Sequence, residues 1–393
     1  MKIKLALLPI LAVLVASGLK AQGPGTSANG DFSSRGEELL KLVKDRFYEV
    51  KAADAWCQRN AGFGASIKTE EEFAGAAKAR LMQLKTSHTG YFDLHDPEYF
   101  GLQSIFKGPL QTKAVEYDSP GMDVTTGRFV RVVFAGGSAE QAGLKRGDRI
   151  LTADGRSFHR IDSFRDRAGQ PVKLQIQREA AGAIMEVTIT PRRIDPAVEW
   201  LEAEQKGARL IERNGKKIGY VPLFSCAGGQ YQDALQELYT TTLRSADALI
   251  LDFRNGWGGC SPSFVNLFNQ TPPVLTLGNR GGKQDQVDLQ WRKPLFILIN
   301  GGSTSGKEVV AFAVKKHRLG TLVGKRTAGA VLAGTCIRQS SGALVYLAVS
   351  EVLVDGRKLE GVGVEPDVEV EDRLPFASGS DPQWEKALEL AAR

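Results

Sequence analysis

Residues 299–310 read INGGSTSGKEVV, after the apolar run PLFILI and before residues at helical spacing. A strand, a tight glycine turn and a helix are implied. Three chemistries fit the turn. Gly301, Gly306 and Lys307 match the G-x-x-x-x-G-K phosphate cradle; Ser305 stands where a strand-to-helix turn can carry a nucleophile; and Ser305 to Glu308 has the S-x-x-E form of a helix capping box. The cradle needs Ser or Thr after its lysine to hold magnesium, and Glu308 stands there, where its charge would repel phosphates. On this stretch alone the cap is favoured. A nucleophile requires a base and oxyanion donors from elsewhere in the chain.

Both exist. LDFRNGWGG (251–259) places glycines straight after a strand, leaving bare backbone amides near a sheet end, and SHTGYF (87–92) places His88 beside the Ser87 hydroxyl at a helix end. Taken singly, His88 reads as a helix-end residue interacting with the dipole, Glu360 as a turn residue, and Gly258 and Gly259 as a tight turn. With four histidines, no H-E-x-x-H and no Cys/His cluster, neither a metal nor a cofactor is expected. Cys57, Cys226, Cys260 and Cys336 show no C-x-x-C pair; up to two disulfides can form, with the pairing open.

The elements that must position these residues come from the whole chain. Its 393 residues suggest two or three domains, and 42% hydrophobic with 24% charged residues is ordinary for a globular protein. The net charge of +6 is spread along the chain, without a basic run interleaved with aromatics, so nucleic acid is not an expected partner. Lys2 and Lys4 precede LALLPILAVLVASG, and Ala21 offers a cleavage site: the layout of a signal peptide over 1–21, implying a periplasmic or secreted, extracytoplasmic location. That apolar core is short against the roughly 20 residues of a membrane span, so no stable span is expected after cleavage. A flexible leader follows at 22–33, then a helical domain at 34–101. Residues 103–193 are β-rich, and AEQAGLKRGDRILTADG (139–155) resembles a PDZ domain, which implies capture of extended polypeptide segments at a sheet edge. A linker with a short helix spans 194–210, α/β alternation covers 211–376, and a helix ends the chain at 377–393. The fold class is α+β / α/β and multidomain.

SHTGYF, the PDZ stretch, IGYVPL, LDFRNGWGG, NGGSTSGKEVVAFAVKKH, LVGKRTAGA and LEGVGVEPDVEV, in this order, resemble the S41 family of serine peptidases, the C-terminal processing and tricorn-type proteases. The resemblance covers nearly all of the chain after 1–21. It implies a crotonase-like α/β catalytic core into which the PDZ domain is inserted, acting on unfolded or C-terminally exposed polypeptides, with oligomers allowed. Processing proteases carry a lysine shortly after the G-x-R-T turn; here Ala330 stands at that position. The tricorn-type branch instead uses Ser, His, Ser and Glu, and Ser87, His88, Ser305 and Glu360 match it. The resemblance thus implies Ser305 as nucleophile, His88 as base, Glu360 orienting the imidazole through Ser87 or directly, and Gly258 and Gly306 as oxyanion donors. Tricorn has an acid after its nucleophile; Gly306 replaces it here, which points to small or apolar side chains before the cleaved bond. Two rivals stay open: a catalytically inactive peptide- or ligand-binding protein on the same scaffold, and serine chemistry with Lys325 as base.

Overall fold

The computed structural model describes residues 31–393, so the signal peptide expected at 1–21 and most of the leader lie outside the described residues. The chain forms two units, one reaching to Asp93 and including Leu332–Val352, the other made of Leu94–Val331 and Leu353–Arg393.

The first described helix begins at Phe32, two residues before the start expected for the helical domain. Asp31 caps the helix Phe32–Arg46, its Oδ1 accepting from the Ser33 and Ser34 amides at 3.1 and 3.2 Å. That helix ends at Arg46, because Phe47 adopts extended backbone (φ −65°, ψ 135°), and a second helix, Val50–Arg59, follows. A third helix, Glu70–Met82, opens on a capping box between Thr69 and Glu72. Apolar residues at helical spacing (Leu39, Val43, Trp56, Phe73, Ala77, Leu81) are buried together with Leu332, Val345 and Leu347. Those last three come from the antiparallel pair Leu332–Arg338 and Leu344–Glu351, to which Gly90–Phe92 adds a third strand. The sequence reading assigned 332–352 to the α/β core and 94–101 to the helical domain. In the structure 332–352 group with the helices of the first unit and 94–101 with the second, since the strand pair supplies the apolar side chains that cover those helices.

In the second unit, the strand Val172–Gln177 buries Val172, Leu174 and Ile176 in alternation, the period-2 pattern of a sheet with one wet face. It pairs with Arg149–Ala153 on one side and Ile184–Ile189 on the other. Its apolar face closes on Ile150, Phe158, Phe164 and Ala139, the last from the short helix Ser138–Gln141. The linker is mostly helix, Pro196–Gly207, with Asp195 capping Ala197 at 2.9 Å.

A six-stranded sheet follows: Arg209–Arg213, Lys216–Pro222, Ala248–Asp252, Leu295–Ile299, Thr321–Gly324 and Val368–Glu369, in that spatial order. Only the first pair is antiparallel. All five residues of Ala248–Asp252 are buried, as expected of a parallel strand covered on both faces. The helices Gly229–Thr240 and Gly306–His317 make crossovers, and the helix Pro382–Ala391 packs Ala387, Leu388 and Ala391 against Ile218, Ile250, Leu298 and Val323. Between the second and third parallel strands lies a 3-10 helix, Pro262–Phe268. One disulfide joins Cys226 to Cys260, while Cys57 and Cys336 are unbridged.

Beneath the end of the central strand, Arg254 is buried between two carboxylates. It meets Asp252 at 2.9 and 2.6 Å and Asp381, the N-cap of the last helix, at 2.7 Å. Arg254→Ala would strand both acids in the interior, and a loss of about 3–5 kcal/mol is expected. Urea unfolding of the variant checks this.

Candidate active site

The candidate residues of the second unit lie past the carboxyl ends of adjacent parallel strands, where open α/β sheets keep their reactive groups. Strand Ala248–Asp252 runs into 253–260, and strand Leu295–Ile299 into 300–305. Side chains lace the two turns together. Ser303 Oγ donates to the Phe253 carbonyl at 3.0 Å, and Asn300 Oδ1 accepts the amides of Gly302 (2.8 Å) and Asn255 (3.3 Å). Asn300 Nδ2 donates to Asn255 Oδ1 at 3.3 Å.

Ser305 heads the helix Gly306–His317 with φ 58° and ψ −124°. A capping serine ordinarily sits in the β region. A serine at positive φ is strained, and strain of this kind persists only where surrounding structure imposes it. It is the backbone of a sharp strand-to-helix turn that presents a nucleophile. The Ser305 amide is held twice, by the Ala330 carbonyl at 2.9 Å and by Glu308 Oε2 at 3.1 Å. Glu308 is buried and also accepts from Thr327 Oγ1 (2.6 Å) and the amides of Gly329 (2.7 Å) and Ala330 (2.8 Å). Burial pushes its carboxyl pKa up against those donors. The S-x-x-E spacing is therefore an anchor reaching three further groups, beyond its reach back to the Ser305 amide.

Two glycines close on Ser305. A Cβ on Gly258 would lie 2.7 Å from the Ser305 Cβ and 3.1 Å from the Gly306 nitrogen. A Cβ on Gly306 would lie 2.4 Å from the Cys260 nitrogen. Neither amide donates to another group among the described residues. For Gly306, the first residue of its helix, that is the ordinary state of an N-terminal amide.

The phosphate cradle fails on its lysine. Lys307 is fully buried, and its Nζ donates to the carbonyls of Leu223 (2.6 Å) and Asn255 (2.7 Å). Lys325 is equally unsuited to act as a base. Its ammonium lies 2.7 Å from Glu369 and 2.5 Å from Glu371, and these hydrogen bonds push its pKa up to about 12. Ala330, in the place of the processing-type lysine, lies against the Ser305 main chain and has no amine to offer. Glu360 Oε2 accepts the next amide, that of Val331, at 2.7 Å.

In the first unit, Ser87 Oγ and His88 Nδ1 are 2.8 Å apart. His88 lies between Met82, where a helix ends, and Gly90, where a strand begins, so the helix-end reading does not apply. Its φ of 54° is another left-handed conformation, and its ring packs 5.3 Å from that of Tyr346. With Nδ1 engaged by Ser87, proton transfer at this ring falls to Nε2. Sequence reasoning missed the long-range roles of Glu308, Lys307, Asn255 and Asn300. The only signal was a run of polar residues inside an otherwise buried strand-turn-helix.

A strained serine at the head of a helix, on an α/β sheet and beside two glycine amides, is an arrangement suited to a serine hydrolase. The model of peptidase family S41 matches residues 217–370, and that of the PDZ domain residues 129–178. A carboxyl-terminal-processing protease of Synechocystis sp. is 26% identical over 351 residues, covering 85% of this chain and 80% of that protein. A carboxy-terminal-processing protease of Bartonella bacilliformis is 29% identical over 284 residues, covering 66% of this chain and 63% of that protein. The crystal structure of the tricorn protease is similar with a TM-score of 0.57 and 20% identity, over 92% of this chain and 36% of that one. Residues 217–370 thus match peptidase family S41 and residues 129–178 a PDZ domain, and the chain is a serine-type peptidase, a hydrolase of peptide bonds.

Gly258→Ala places a methyl group against Ser305, and if the Gly258 amide serves as an oxyanion donor its displacement is expected to lower kcat on a peptide substrate by at least about 10²-fold. Steady-state kinetics beside a thermal melt separates this from unfolding.

Proposed function

We propose that the chain is an exported serine endopeptidase that cleaves unfolded or C-terminally exposed polypeptides with a Ser305–His88–Ser87–Glu360 tetrad. The PDZ domain, barrel-like in form, captures the substrate, and a crotonase-like core cleaves it. The observation that carries the reading is the strained Ser305 backbone pressed against Gly258. The Ser87–His88 contact, the absence of a lysine at Ala330 and the engagement of Lys325 support the histidine as base. No observation favours an inactive binding protein, and the sequence keeps Ser87, His88, Ser305 and Glu360, the residue types the chemistry needs. Export rests on residues 1–21; among the described residues no helix is long and apolar enough to cross a membrane.

His88 Nε2 takes the Ser305 proton as Oγ attacks the scissile carbonyl. The Gly258 and Gly306 amides bind the oxyanion, and the imidazolium returns its proton to the leaving amine. Water, activated by the same imidazole, then releases the acyl group. Ser87 and Glu360 hold the ring's orientation and stabilise its charged form. Gly306, which adds no charge beside the nucleophile, suits small or apolar side chains before the cleaved bond.

The test is cleavage of casein by the mature chain. Ser305→Ala and His88→Ala are each expected to lose activity by at least about 10³-fold. Equal cutting by wild type and Ser305→Ala would sink the proposal. A histidine base, ordinarily with a pKa of ~6.5, makes activity rise through about pH 6–7, and a profile that begins to rise only above about pH 8 would point to a lysine instead.

A further inference from the structure

Lys307 has no part in the tetrad, yet it is a fully buried cation directly after Gly306, on the helix that Ser305 heads. Its Nζ reaches two other segments, donating to the carbonyls of Leu223 at 2.6 Å and Asn255 at 2.7 Å. These segments run side by side toward Gly258. The Trp257 amide donates to the Phe224 carbonyl at 2.7 Å, and the Cys226 amide to the Gly258 carbonyl at 3.1 Å. From behind, Glu204 of the helix Pro196–Gly207 accepts the amides of Phe224 (2.7 Å) and Ser225 (3.0 Å) with one buried carboxylate oxygen. The Cys226–Cys260 disulfide closes the same patch.

We propose that Lys307 is a positioning residue of the oxyanion hole: from beside one donor, Gly306, its ammonium grips the main chain that carries the other, Gly258, and so fixes the separation of the two amides. The inference rests on the serine-peptidase reading of Ser305. An ammonium suits the task because several N–H groups on one flexible stem can meet carbonyls from two segments. A methionine of similar length would fill the space and leave both carbonyls without a donor, each at the cost of an unsatisfied buried acceptor. The charge is held at a distance by acids. Burial pulls the Lys307 pKa down to about 8, opposed by Glu204 and by Asp252, which is itself paired with Arg254. Burial raises the Glu204 carboxyl to about 8 as well.

The experiment compares wild type, Lys307→Met and Glu204→Gln as full mature chains, with thermal melts to show that each folds. A chromogenic peptide gives kcat and KM. A peptide aldehyde, whose hemiacetal oxygen occupies the oxyanion position, gives an affinity that depends on the hole. Lys307→Met is expected to lower kcat by roughly 10²–10³-fold and to weaken aldehyde binding in parallel, with KM within about threefold. A folded Lys307→Met that keeps kcat and aldehyde affinity, or changes KM alone, overturns the proposal. Glu204→Gln keeps an acceptor for Phe224 and Ser225, and its aldehyde affinity is expected to stay within about threefold of wild type; a loss as large as that of Lys307→Met would assign the placement of the Gly258 segment to the Glu204 carboxylate and overturn the proposal. Ser305→Ala, run in parallel, separates the two levels. If it cleaves like wild type, the serine reading itself is wrong. If it is inactive while Lys307→Met is unimpaired, only the role of Lys307 is lost.

Discussion

The carboxylate of Glu308 collects four donors: the Ser305, Gly329 and Ala330 amides and the Thr327 hydroxyl. Thr327 Oγ1 in turn accepts the Val364 amide at 2.8 Å, so the constraint extends into the segment that follows Glu360. A serine at φ 58° does not hold itself there. The helix would relax toward an ordinary N-cap if the 327–331 segment were not tied to the same turn. One buried acid, satisfied by main-chain amides, thus keeps the reactive turn sharp and sets Ala330 and Val331 beside it.

Around that point the sheet gathers buried ionisable side chains: Asp252, Arg254, Lys307, Glu308 and Glu204. Each satisfies main-chain groups or another charge at the end of a strand or the start of a helix, where regular secondary structure leaves donors and acceptors without partners. Buried ionic groups contribute little net stability when paired and a large penalty when broken. Their value here is in specificity of geometry, since each permits one arrangement of the loops and penalises the alternatives.

Aromatic packing does the corresponding work on the PDZ side of the second unit. Phe134, at the end of a strand of the β-rich region, meets Phe224 with ring centroids 5.0 Å apart, and Trp200 of the linker helix lies 5.8 Å from Trp257, the residue before Gly258. Gly101 lets the Trp257 ring approach, for a Cβ there would come within 2.4 Å of it. The loop bearing Gly258 is therefore packed on one side by apolar rings and tied on the other by Asn300 and Lys307.

What the sequence determined by itself was the local chemistry. The apolar periods predicted the strands and crossover helices of the core, the AEQAGLKRGDRILTADG stretch predicted the PDZ domain, and the glycine turns marked where backbone amides would be exposed. The capping-box spacing of Ser305 and Glu308 was legible too, because it depends on residues one helical turn apart. The left-handed backbone of Ser305 was not, since serine's own preference opposes it and the force comes from residues more than twenty positions away. Glu308 already argued in the sequence against Lys307 as a phosphate ligand, but what its ammonium does instead is decided by burial and two distant carbonyls. The strands of 332–352 looked like core strands because their apolar runs are alike. Only tertiary structure could assign them to the helices of the first unit, as a hydrophobic surface specifies that it must be covered and not by what.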